Sequence, residues 1–291
     1  MRVCLSCGER FTAEGWDCPS CHAYPETVDG FLSFAPDLLD PDGYYNPAAF
    51  ERLFRIENNH FWFRSRSRLL LWALERYFPR AESFFEIGCG TGYILSGIQE
   101  KFPHLRVYGS DIFSRGLSFA QRRLPDAVLF QMDARRIPFE EEFDVVGAFD
   151  VLEHINEDDV VLRQMLQAIK PGGGVIITVP QHPFLWSIVD ERSCHKRRYI
   201  RADLVTKVKN AGFRIVRTTS FVSFLLPLIL ISRIRRERSR KEFDPSAETR
   251  VGGLTNAVLE RVMTLERACI RQGVSLPAGG SLLIIAHRNR R

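Results

Sequence analysis

Two groups of residues in this chain have types and spacings that could carry chemistry. The first is Cys4, Cys7, Cys18 and Cys21, which read C-x2-C, ten residues, C-x2-C. Each pair can offer two thiolates to one tetrahedral ion, and the intervening residues suffice for a short hairpin, so a structural zinc is expected. The plainer alternative is four unrelated thiols in an arm. His22 could stand in for one cysteine, although four sulfurs already complete the shell. The second group begins at "FFEIGCGTGY", Phe84 to Tyr93, where an apolar run passes through Glu86 into Gly88, Gly90 and Gly92. Glycines at this spacing let a backbone approach a ligand closely, and a following helix would add free N–H groups.

Three ligand classes compete for such a loop. A nucleoside-triphosphate loop ends in Lys-Ser/Thr, which is absent here. A dinucleotide loop reads G-x-G-x-x-G/A, whereas Tyr93 occupies the last position. Glu86 places negative charge just before the turn, awkward for pyrophosphate but suited to a ligand with an ammonium and a sulfonium. S-adenosylmethionine has both. Asp111 lies 23 residues after Gly88, where an acid can accept hydrogen bonds from two ribose hydroxyls. Ile112 then offers an apolar wall to adenine, and Asp133 with Ala134 stands where the adenine amino group would come. Cys89 and Phe149 complete the expected lining.

These residues need a scaffold that brings them to one edge. Short apolar runs at 83–87, 106–110, 127–131, 143–149 and 175–179 alternate with segments of helical periodicity. Continuous rather than alternating apolar strands predict a parallel sheet covered on both faces. Two later runs, 213–221 and 281–287, flank a helix over 254–271 and bring the tally to seven strands. The expected fold is α/β, a doubly wound Rossmann-like sheet over 48–291 with a helical insertion at 221–272. A small ribbon at 1–35 and a linker at 36–47 precede it. One aromatic-rich helix is expected from Ala48 to Phe78.

The ordered set "EIGCGTG" (Glu86–Gly92), Asp111, Asp133, "FDVVGAFDVLEH" (Phe143–His154) and "IKPGGGVIITVP" (Ile169–Pro180) resembles the class I S-adenosylmethionine-dependent methyltransferases. The resemblance covers about Ser83 to Arg288 and implies a seven-strand sheet with an antiparallel last strand. It also implies that an arginine on the leading helix meets the methionine carboxylate; Arg64 is the choice, with Arg66 and Arg68 open. The stretch after Cys18 is similar to small zinc-ribbon modules that precede or partner certain methyltransferases.

For the transfer itself the local candidates are His154, and His195 in "ERSCHKRRY", as bases toward a hydroxyl or amine. Asp150, Glu153 and His154 would share a face if the turn is helical. Similar quinone O-methyltransferases carry E-x-x-E-H there, which implies a magnesium ion at these three residues; Asp150 departs from that pattern.

The composition, 45% hydrophobic with 26% charged and a net charge of +5, is that of an ordinary globular chain. "MRVCLSCGERF" lacks the apolar core of a secretory signal, so a cytoplasmic, reducing setting is expected. "FVSFLLPLILISRIRRERSRK" couples an apolar run to six basic residues against one acid. Over 221–241 this is the form of a segment lying on a membrane face. A lipid-linked or other small hydrophobic or anionic acceptor, methylated on oxygen, fits it. The alternative is an RNA methyltransferase gripping its substrate through the ribbon and basic loops. Against it, the fourth strand opens into "FDVL" rather than the N-P-P-Y type of loop used for flipped bases.

Overall fold

The computed structural model describes residues 1–13, 15–38, 47–238 and 251–289. In chain order the elements are β1 (Arg2–Val3), β2 (Arg10–Phe11), β3 (Glu26–Val28), β4 (Phe31–Ser33), α1 (Pro47–Ile56), α2 (Phe61–Tyr77), β5 (Ser83–Ile87), α3 (Tyr93–Lys101), β6 (Arg106–Asp111) and α4 (Ser114–Arg123). Then follow β7 (Val128–Gln131), β8 (Phe143–Phe149), α5 (Asp158–Ala168), β9 (Ile169–Pro180), α6 (Ile188–Arg192), α7 (Arg201–Asn210), β10 (Phe213–Phe221), α8 (Leu226–Arg238), α9 (Gly253–Arg271) and β11 (Ser281–Arg288).

The sheet order is β10-β11-β9-β8-β5-β6-β7-β4-β3. Strands β5 to β9 run parallel, and β11 is antiparallel to both of its neighbours. All five residues of β5 are buried, because helices cover both faces of the sheet. Leu69, Leu70, Leu95, Ile98, Met263 and Ile270 from α2, α3 and α9 fill one core. Val161, Leu162, Met165, Leu204 and Val208 from α5 and α7 fill the other. Phe84 and Phe85 point into opposite cores, and trimming either to alanine would cost about 3–5 kcal/mol. Strand order reverses between β5 and β8, so the carboxyl ends of these two strands open the crevice where such sheets take ligands.

Three expectations change in detail. The helix expected over 48–78 is two helices, broken at "ENNH", where His60 Nδ1 accepts the Trp62 N–H and caps α2. Glu57 in that break is buried between Arg123 and Thr91, which holds the break in place. The fifth strand is longer than 175–179, running from Ile169 to Pro180. The sheet gains two further strands: β3 and β4, from the segment 1–35, extend it through parallel pairing of Leu32 and Ser33 with Phe130 and Gln131. Most of the expected 36–47 linker and the end of the basic run at 239–241 lie outside the described residues. Among the described residues, no helix is long and apolar enough to cross a membrane.

Candidate active site

The glycine loop follows β5 directly. Gly88 has φ +68°, and a Cβ there would sit 2.5 Å from Val151 Cγ2, so a larger residue would push the β8 loop away. At Gly90 a Cβ would meet nothing within 4 Å: the loop faces open space at this point. The Gly90 N–H donates to Asp111 Oδ2 at 2.8 Å, tying the loop to the end of β6. Gly92 occupies the cap position of α3. Cys89 contributes backbone only, since its thiol is buried in the core and pushed well up by that burial.

Glu86 is 2% exposed and its Oε2 has no hydrogen-bond partner. Burial pushes its carboxyl up to about 8; Arg66 opposes the shift, while Asp111 and Glu57 add to it. A buried acceptor without a donor beside an open glycine loop fits a cationic ammonium. Asp111 is raised to about 6 by burial against amide donors at Phe113 and Gly90, and it stands at the cleft edge next to half-buried Ile112. This set of donors and acceptors fits S-adenosylmethionine. At the end of β7, Asp133 accepts Arg135 Nε at 3.0 Å on each oxygen, so an adenine amino group would share these atoms with a guanidinium. Ala134 is buried beside it.

The arginine assignment changes. Arg64 points away from the cleft and pairs with Glu260 on α9, which Arg68 also reaches at 2.7 Å. Arg66 turns toward the strand ends: its Nη1 lies 2.7 Å from Asp150 Oδ2 and its Nη2 donates to the Phe149 carbonyl at 3.2 Å. Its guanidinium stacks over Trp62, 4.8 Å from the ring centroid. The basic residue four positions after a tryptophan was the available sequence signal. Phe149 itself packs its ring on Phe84 inside the core and offers the cleft its carbonyl.

The expected Asp150–Glu153–His154 metal face does not form. Asp150 has φ +58° and only a three-residue 3-10 turn follows, so the i, i+3, i+4 geometry of an α-helix is absent. Its carboxylate instead faces Arg66 and Thr178. Glu153 and His154 are joined by His195 from the loop after β9, their ligand atoms within 4.8 Å of one another. The His154 and His195 rings meet edge to face at 4.8 Å. Burial and the neighbouring His195 lower His154 to about 4, so it is neutral at physiological pH.

Behind His195 stands Asp190, which the sequence reading missed. Asp190 is fully buried, and its Oδ1 lies 2.9 Å from His195 Nδ1. Arg198 Nε donates to the same oxygen at 2.7 Å, and Arg233 of α8 reaches Oδ2 at 3.0 Å. The readable signal was "SIVD", a capping box in which Ser187 and Asp190 satisfy each other's backbone.

In the N-terminal segment Cys4 and Cys21 bring their sulfurs to 3.6 Å, as do Cys7 and Cys18. All four sulfurs lie within 4.8 Å of one another. Tetrahedral Zn–S bonds require edges of about 3.8 Å, so the cluster is shaped for such an ion. Burial raises the Cys4 thiol, but hydrogen bonds from the Cys7 and Ser6 backbone and the neighbouring thiols outweigh it and bring Cys4 down to about 6.

Comparison with known proteins matches residues 85–175 to a methyltransferase domain family. The chain carries a class I S-adenosylmethionine-dependent methyltransferase domain. Over 168 residues it is 24% identical to a demethylmenaquinone methyltransferase of Thermotoga maritima, covering 56% of this chain and 72% of that protein. Over 120 residues it is 30% identical to a ubiquinone biosynthesis O-methyltransferase of Stutzerimonas stutzeri, covering 38% of this chain and half of that one. Among solved structures, Haemonchus contortus phosphoethanolamine N-methyltransferase 2 in complex with S-adenosyl-L-methionine superposes with a TM-score of 0.57 at 21% identity. That match covers 87% of this chain and 59% of the nematode chain. The antiparallel last strand is the one implied by the motif set.

Proposed function

We propose that this methyltransferase domain moves the methyl group of S-adenosylmethionine to an oxygen of a hydrophobic, lipid-carried acceptor. The observation that carries this reading is Arg233. It donates to the Leu185 carbonyl, Ser187 Oγ and Asp190 Oδ2, and so fastens α8 to the loop that holds His195. Both fastened elements expose apolar side chains: Phe184, Trp186 and Ile188 on the loop, Phe224, Leu228 and Ile231 at α8. A basic run follows directly in the sequence, six positive residues against one acid over 233–241. Exposed apolar side chains followed in the sequence by a basic run suit an anionic lipid surface.

In the reaction, the sulfonium S–CH3 bond breaks as the O–CH3 bond forms, and sulfur leaves as a neutral thioether. The acceptor hydroxyl gives its proton to His195 Nε2, with His154 neutral beside it and Arg66 holding Asp150 at the cleft wall. Glu86 would take the donor's ammonium, Asp111 its ribose, and Asp133 with Ala134 its adenine. Cys4, Cys7, Cys18 and Cys21 would hold one structural zinc.

Co-sedimentation with phosphatidylglycerol-containing vesicles tests the lipid surface. Leu225 is buried in the core and would unfold the domain if charged, so the variants are Leu228→Asp and Ile231→Asp. The bound fraction should fall at least severalfold while S-adenosylmethionine affinity holds. Equal partitioning of wild type and variants would remove the lipid reading and leave the methyl-donor assignment intact.

A further inference from the structure

The N-terminal segment does more than carry cysteines, because its contacts converge on the loop that follows β6. Gln131, the last residue of β7, is fully buried and uses all of its amide's bonding capacity. Its Oε1 accepts Ser33 Oγ at 2.6 Å and the Ala35 N–H at 3.2 Å; its Nε2 donates to the Ala35 carbonyl at 2.8 Å and to the Ile112 carbonyl at 3.2 Å. Three of these four bonds belong to the N-terminal segment, and the fourth reaches the residue after Asp111. Two positions further on, Ser114 Oγ donates to Asp29 Oδ2 at 2.6 Å, where Asp29 sits in the turn between β3 and β4. The backbone adds the Phe34 N–H to Gln131 carbonyl bond at 2.8 Å. The stretch from Asp111 to Ser114 is thus held from outside at one point directly, by Asp29, and at a second through Gln131, whose other bonds go to Ser33 and Ala35.

We infer that residues 29–35 act as the outer clamp of the donor loop, with Gln131 and Asp29 as positioning residues that set affinity for S-adenosylmethionine. Removal of the segment would leave the buried Gln131 amide with one bond of four, the one to the Ile112 carbonyl, and nothing to hold that amide in place, a penalty that folded proteins avoid. The loop would lose the fixed distance between Asp111 and Gly90 on which ribose binding depends. This inference rests on the donor lying at Asp111. It does not require the lipid acceptor.

The experiment compares the full chain with Gln131→Met, which keeps the volume and removes the bonds, and Asp29→Gly, which suits the φ of +51° at that turn. Calorimetry with S-adenosylmethionine should show each variant weakened about threefold to tenfold. Hydrogen exchange of the free proteins should quicken at residues 112–115 while the β10–β11 ladder stays unchanged. A merely structural role would quicken both regions together, and that outcome overturns the inference. So do donor affinities within twofold of wild type. If Gln131→Met fails to fold, Asp29→Gly decides alone. If the wild type does not bind the donor, the donor assignment fails, and local exchange at 112–115 still decides whether the clamp exists.

Discussion

Asp190 holds His195 in one orientation: Oδ1 lies 2.9 Å from Nδ1 inside a fully buried carboxylate site. Burial raises the Asp190 carboxyl, but His195, Arg198 and Arg233 outweigh it and hold it well below the usual range. An ionised partner at Nδ1 requires a proton there, and Nε2 points the other way, 4.0 Å from Glu153 Oε1. Replacing His195 by alanine should slow transfer of labelled methyl groups into a lipid extract about 100-fold or more. S-adenosylmethionine affinity should stay within about twofold. In Asp190→Asn, imidazole nitrogen shifts should report a changed tautomer mixture for His195.

Glu86 makes the free domain sensitive to pH. Its folded carboxyl is raised to about 8 by burial from an ordinary value of 4.5. The stability it contributes is therefore present below about 4.5 and is lost as pH rises through 8. Donor binding runs the other way, because the ammonium prefers the ionised acid. Affinity for S-adenosylmethionine should rise from pH 6 toward about 8 and fall again above it as the ammonium itself gives up its proton. Glu86→Gln should flatten both curves and weaken binding about tenfold to 100-fold, read by calorimetry and thermal melts across that range.

The two arginines of α2 should separate in a binding assay. Arg66→Ala removes a 2.7 Å partner of Asp150 and a half-buried stack on Trp62, and should weaken donor binding about tenfold. Arg64→Ala loosens only the packing of α2 on α9 through Glu260, so its effect should appear in melting temperature rather than in affinity. Asp111→Ala should abolish measurable binding, since it removes the proposed ribose acceptor and frees the Gly90 amide together.

Metal analysis should find about one zinc per chain, with the paired variant Cys4→Ser/Cys21→Ser losing it. Because Val3 donates to the Pro138 carbonyl and Arg136 to the Leu5 carbonyl, metal loss should also loosen residues 136–142, measurable by hydrogen exchange.

Much of the scaffold was legible because parallel strands buried on both faces leave continuous apolar runs, as in "SFFEI". The glycine turn after β5 and the place of Asp111 at the end of β6 were legible because both depend on backbone conformation and position along the chain. What the sequence hid depends on where side chains point after folding. Arg64 and Arg66 are near neighbours on one helix, and only packing against α9 sends the first toward Glu260. His195 meets His154 across 41 residues of chain, and no local period announces that encounter. The i, i+4 face drawn through Asp150 and His154 assumed α-helical geometry that a positive φ prevents. The pairing of β4 with β7 joins residues almost a hundred positions apart and rests on two register pairs.

That pairing also bears on solubility. A strand margin with free amides invites a second molecule to zip on, and here β3, three residues long with Pro25 before it and Glu26 exposed, makes a poor template. A truncated chain starting after Ser33 would bare the margin of β7, where Val128 is already half exposed. Self-association along that rim, rather than loss of the core, would be the first symptom of removing the hairpin.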